Sequence, residues 1–158
     1  MKLFKLIVVA GVVVWALPLI GVAQGERFLG TWTLNLARSS YQPGPLPTSH
    51  TRTYERLPGR RIRLTIRIRT ADGRTLLEHA TFRVDGRPYA IDGNPDIDAF
   101  RVVRVGPWKT RATQLRGGKV VGHVTSIVSR DGRTRTMDMT FTTATGQVQH
   151  NVLVFDRQ

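Results

Sequence analysis

The segment Arg61-Ile62-Arg63-Leu64-Thr65-Ile66-Arg67-Ile68-Arg69 sets Arg61, Arg63, Arg67 and Arg69 at odd positions and Ile62, Leu64, Ile66 and Ile68 at even ones. In an extended chain successive side chains leave on opposite faces, so the arginines share one face and the aliphatics the other. A row of guanidinium forks is suited to carboxylate or phosphate. If Pro58-Gly59 is a two-residue hairpin loop, Arg56 falls opposite Arg61, and Arg52 and Arg56 join the same face. Like charges that face one another repel, which calls for an acidic neighbour, and Glu78 on the following strand is within reach. The alternative reading of this face is an exposed, solvated one whose arginines keep the protein soluble, as is common on half-buried antiparallel strands.

A second cluster, Asp92-Gly93-Asn94-Pro95-Asp96-Ile97-Asp98, spaces oxygen-bearing side chains as a calcium loop would. The match ends at Ile97, where such a loop wants glycine, and at Val103, where it wants a bidentate glutamate. A plain turn with Asx capping is the reading preferred here. His50, His79, His123 and His150 fall on different predicted strands with no i, i+2 or i, i+4 pair among them, so no metal is expected. The chain shows no Gly-x-Ser-x-Gly elbow, phosphate-cradling glycine loop or zinc helix, and it nominates neither a catalytic residue nor a cofactor. Cysteine is absent, which removes disulfides and thiolate chemistry.

The elements that must position these residues are strands. From Phe28 onward the apolar period is two, and no helical period is sustained. Strand candidates run over 28–36, 50–57, 60–70, 75–84, 98–105, 109–115, 119–129, 133–142 and 147–155. They break at turn pairs such as Pro58-Gly59, Asp72-Gly73, Asp85-Gly86, Gly117-Gly118 and Asp131-Gly132. Tyr41 to Pro47 holds three prolines, each lacking a ladder donor, and reads as a loop. Connections this short make neighbouring strands antiparallel. With no helices to cover a sheet, closure is the way to bury one face and remove edges. The expectation is an all-β, antiparallel up-and-down barrel of about eight to nine strands, with a two-sheet sandwich as runner-up.

At the N-terminus, Lys2 and Lys5 precede an uncharged run from Leu6 to Leu17, then Pro18 and Gly21-Val22-Ala23. This is the pattern of an export signal cut before Gln24. The organisation expected is a signal peptide over residues 1–23 and one domain over 24–158, in the periplasm or secreted. A retained N-terminal anchor is the alternative, since 6–25 carry no charge. Of 24 Lys+Arg, cleavage removes Lys2 and Lys5, leaving 22 against 11 Asp+Glu, a net charge of +11. Such a field attracts polyanions, including envelope phosphates. Specific nucleic-acid binding is not expected, because only Tyr54 interleaves an aromatic ring with the basic face.

Phe28-Leu29-Gly30-Thr31-Trp32 resembles the opening of lipocalins and of fatty-acid-binding proteins. That resemblance implies a Trp32 that closes one barrel end, with Arg157 of Val154-Phe155-Asp156-Arg157 packed over it. More of the chain is similar to uncharacterised exported bacterial proteins of lipocalin-like type, through Gly30 to Asn35, the Tyr41 to Pro47 loop, Asp85-Gly86-Arg87-Pro88-Tyr89, Gly93-Asn94-Pro95-Asp96 and Ser129-Arg130-Asp131-Gly132. Inside such a barrel the aliphatic faces meet: Ile62, Leu64, Ile66 and Ile68, then Phe82 and Val84, then Met137, Met139 and Phe141. These side chains either fill the interior or line a cavity for a small apolar, amphipathic or anionic ligand. The first reading of function is a non-catalytic carrier of such a ligand. The second is a filled barrel whose basic exterior adheres to envelope polyanions.

Overall fold

The computed structural model describes residues 27–158. The export leader at 1–23, and the choice between cleavage and anchoring, lie outside the described residues. The apolar alternation carries through as eleven strands: β1 (Gly30–Leu34), β2 (Ser40–Gln42), β3 (Ser49–Leu57), β4 (Arg61–Arg69), β5 (Thr75–Phe82), β6 (Tyr89–Asp92), β7 (Ala99–Arg104), β8 (Lys109–Arg116), β9 (Lys119–Val128), β10 (Thr134–Thr142) and β11 (Val148–Arg157). Every pairing is antiparallel, and β11 returns to β1 with Trp32 opposite Arg157, so β1 and β3 to β11 close into a barrel of ten strands. Among the described residues no helix is long and apolar enough to cross a membrane.

The ring has one strand more than the eight or nine expected. The extra member is β6, four residues set between Pro88 and Gly93-Asn94-Pro95, where flanking turn chemistry hides a strand. It is held by only two paired residues on each side, His79↔Asp92 and Ala80↔Ile91, then Tyr89↔Phe100 and Ala90↔Ala99. Gly93 lets the next turn fold back onto β5, because a Cβ there would stand 2.0 Å from the Leu77 carbonyl oxygen.

The segment read wholly as a loop also contributes β2, whose Ser40, Tyr41 and Gln42 pair with Val152, Asn151 and His150. β1 and β2 are thus two pieces of one line along β11. Between them Asn35 still donates to Val154 O at 2.8 Å, and its side chain caps a 3-10 turn over Leu36–Arg38. Leu36, read as part of the first strand, is instead 41% exposed on that turn.

The β3–β4 connection corrects the arginine face. The loop is three residues, Pro58-Gly59-Arg60, with Gly59 at φ 72° and Arg60 at φ 59°, and Leu57 pairs with Arg61. A one-residue shift sends every side chain of a strand to the other side. Glu55 therefore opposes Arg63, and their side chains form an ion pair at 3.7 Å. Arg52 pairs with Ile66 and Arg56 with Ile62, so neither belongs with Arg61, Arg63, Arg67 and Arg69, which remain on the exposed outside. Glu78, expected to neutralise that face, pairs with Ile66 and is buried at 4% exposure.

The core gathers at the end that Trp32 closes. Trp32, Phe155, Ile66 and Leu153 are the largest side chains below 2% exposure, each contributing about 1.5–3 kcal/mol by leaving water.

Candidate ligand cavity

The inward residues do not fill the barrel. They enclose a cavity of about 620 Å³ whose mouth is edged by the loops holding Pro45 and Pro47, Asp72 and Arg74, and Asn94 and Pro95. Of the predicted lining, Leu64, Ile66, Ile68, Phe82, Met137, Met139 and Phe141 border this space. Ile62 does not. It is buried in the core at 8% exposure, opposite Phe82 and Arg56, without reaching the cavity. Val84 likewise only packs against the core from its edge.

Sequence reasoning missed the polar part of the wall. His50, Arg52 and Tyr54 share the inner face of β3, Glu78 stands on β5, Gln114 on β8, Ser126 on β9 and Arg135 on β10, and all border the cavity. The signal was a polar residue at inward parity: Arg135 leads the alternation Arg135-x-Met137-x-Met139-x-Phe141, and Glu78 stands between Leu76 and Ala80. For β3 the two-residue loop assumed after Leu57 concealed it.

Two of these groups are guanidiniums, each with its own contacts. Arg135 Nε donates to Ser126 Oγ at 2.7 Å, and its guanidinium lies 4.6 Å over the Tyr54 ring and 6.0 Å over Phe28. Arg52 reaches across the barrel to put Nη1 3.0 Å from Met137 Sδ and lies 5.9 Å over Phe155. Arg52 Nε and Arg135 Nη1 are buried with no hydrogen-bond partner. Among the described residues neither guanidinium forms an ion pair, and neither does Glu78.

Burial lowers the Arg135 guanidinium below its usual range, and Tyr54 beside it partly offsets that. The Tyr54 hydroxyl is raised by burial but lowered overall by Arg135 and Arg52. His50, edge-on to Phe155 at 5.0 Å with both ring nitrogens unpartnered, is held well below its ordinary value by burial and then by Arg52. Burial raises the Tyr41 hydroxyl at the mouth.

At the closed end the Arg157 guanidinium lies 4.3 Å over the Trp32 ring. It donates to Gly132 O at 2.6 Å, to Leu29 O at 2.7 Å and to Arg27 O. Trp32 Nε1 in turn donates to Phe28 O at 2.8 Å. A cation seated on the indole and tied to three carbonyls fastens the last strand to the residues before the first.

Of the remaining candidates, the turn at 92–98 edges the mouth of the cavity and the other three histidines lie outside it. Asn94 Oδ1 accepts from Asp96 N and Ile97 N, Asp96 Oδ1 from Ala144 N and Asp98 Oδ2 from Gly117 N, so these oxygens organise the mouth loops as an Asx-capped turn. His79 and His123 are exposed, and His150 pairs with Asp138 at 3.0 Å on the outside. Among the described residues no three His, Cys, Asp or Glu side chains are grouped as metal ligands.

The fold is similar to solved structures. The fluorescent protein UnaG aligns with TM-score 0.51 at 15% identity, covering 84% of this chain and 98% of that one. A single-residue mutant of UnaG aligns at 0.52 and 17%, covering 84% and 97%. Zebrafish ileal bile acid-binding protein, crystallised with cholic acid, aligns at 0.49 and 14%, covering 84% and 100%. The architecture is that of a fatty-acid-binding-protein-like barrel. No protein-family model and no curated protein matches the sequence.

Proposed function

We propose that this protein is a non-catalytic carrier whose barrel takes up one small amphipathic anion. The observation that carries the proposal is Arg135, buried at 6% exposure on the wall of a 620 Å³ cavity with no carboxylate in contact. An unpaired buried charge is costly unless a counter-ion joins it. Arg52 adds a second cation and Glu78 one anion, so the interior carries a formal charge of +1 that a monoanion balances. The rest of the lining is aliphatic, aromatic and thioether, which suits an apolar body.

A filled core, on which the surface-adhesion reading rested, is not what the interior holds. Arg61, Arg63, Arg67 and Arg69 supply a basic exterior that is compatible with contact to anionic surfaces but separate from the cavity. Export to the periplasm or beyond, read from residues 1–23, belongs to the same proposal, and fractionation of the host cell tests it.

The decisive measurement is native mass spectrometry of protein purified without denaturation from its own host. One anionic molecule with an apolar body per chain is expected. Protein that emerges empty, and that in calorimetric titration also ignores long-chain monocarboxylates, would overturn the carrier reading.

A further inference from the structure

Resting on the anion reading above, we propose that the guest carries a second polar group, a neutral hydroxyl at the far end of its apolar body, and that Gln114 receives it. Gln114 points inward from β8 at 8% exposure and borders the cavity. Its Oε1 is buried without a hydrogen-bond partner. An amide oxygen left unpaired among apolar side chains is costly, and wall positions beside it hold Phe100, Ala112 and Val124.

The sequence also makes room for this amide. A Cβ at Gly122, the ladder partner of Gln114, would stand 2.5 Å from Gln114 Oε1 and 2.4 Å from Phe141 Cβ. The missing side chain lets Gln114 lie against β9 beside Phe141.

Position gives the spacing of the two polar ends. Gln114, Gly122 and Phe141 occupy one row of the ladder across β8, β9 and β10. Arg135 lies on β10 six residues before Phe141, about 20 Å away along the strand at roughly 3.3 Å per residue. Between the two levels the wall holds Met137, Met139 and Val124, with Ser126 opposite Met137 and Asn151 opposite Met139. A cation therefore marks the deep end and a neutral amide the end below the mouth.

Turning about its last torsion, a glutamine presents a donor or an acceptor, and a hydroxyl offers both in return. A second carboxylate is the poorer match, since Phe100 and Gly122 beside Gln114 supply no cation and the arginines toward the mouth, Arg74 and Arg116, are engaged by Asp72 and by the carbonyls of Asp96 and Thr142.

The test is calorimetric titration of the delipidated full chain with three probes of equal length: an unbranched long-chain monocarboxylic acid, its terminal hydroxy derivative and the corresponding dicarboxylic acid. The hydroxy acid is expected to bind about tenfold more tightly than the plain acid. Gln114→Leu should erase that margin while retaining the plain acid. Equal binding of the plain and hydroxy acids by the unaltered protein overturns the proposal without any variant. So does a margin that survives Gln114→Leu, or a dicarboxylic acid that binds as well as the hydroxy acid. Failure of all three acids to bind overturns the anion reading itself, whereas plain-acid binding with no margin overturns only the role of Gln114.

Discussion

The Arg135 guanidinium stands 4.6 Å over the Tyr54 ring and gives one hydrogen bond to Ser126, yet among the described residues it meets no carboxylate. The ring face and the hydroxyl recover part of the lost hydration. The remainder is a standing destabilisation of the empty barrel, and it separates what stabilises the fold from what binds.

Arg135→Met should therefore divide the two. Replacing a buried charge by an apolar side chain of similar length is neutral to stabilising. The ligand-free variant is expected to unfold at higher urea concentration, by about 1–3 kcal/mol. Its affinity for a long-chain monocarboxylate should fall at least about tenfold, because a charge-assisted hydrogen bond is gone. A variant that is less stable and binds as before would show that Arg135 serves packing alone.

Stability should fall as the solution is acidified through the histidine range. Burial and then Arg52 hold His50 well below its ordinary value, so the unfolded chain binds a proton there that the folded chain refuses. Stability consequently rises with pH below the unfolded value near 6.5 and levels off above it. The groups shown to act on this ring are Arg52 on its own strand and the Phe155 ring, which meets it edge-on at 5.0 Å. Below about pH 6.5 the loss should steepen toward, and not exceed, about 1.4 kcal/mol per pH unit for this one group. His50→Phe should flatten that slope in urea unfolding followed across the range.

Arg157→Ala should loosen the closed end. It removes the cation over Trp32 and donors to the carbonyls of Leu29, Gly132 and Arg27. A loss of about 2–3 kcal/mol is expected, with little recovery in Arg157→Lys, whose ammonium lacks the planar fork. Hydrogen exchange should quicken first at Trp32 to Leu34 and at Phe155 to Arg157, where β1 meets β11.

Gly122→Ala should strain the wall without changing any charge. The added carbon would stand 2.4 Å from Phe141 Cβ and 2.8 Å from Thr140 O, and backbone cannot yield as a side chain does. Overpacking of this kind costs about 1–3 kcal/mol. Thermal unfolding checks it, and an unchanged midpoint would mean that β9 and β10 part easily.

Alternation and turn pairs made nine of the ten barrel strands legible, because each is long enough to show its period between strong breakers. β6 was not, since four residues between prolines and glycines carry almost no period. The lining of β4 and β10 could be read from apolar parity, while Ile62 shows that parity gives the face but not which buried side chains reach the cavity. The polar half of the wall stayed hidden for a different reason. Whether Arg52 faces in or out depends on one loop residue, Arg60, in a left-handed conformation that arginine seldom adopts, and nothing local announces it. Arg135 and Glu78 had the right parity, but a charge on an apolar face reads as an error until the space beside it is seen.

The division of the first strand leaves a seam in the ring. β1 bridges β11 and β3, whereas β2 touches β11 alone, so beyond Thr51 the edge of β3 near His50 has no ladder neighbour on that side. What stands there is a side chain, the His50 ring buried edge-on to Phe155 at 5.0 Å, so the barrel is held at that point by packing instead of backbone pairing.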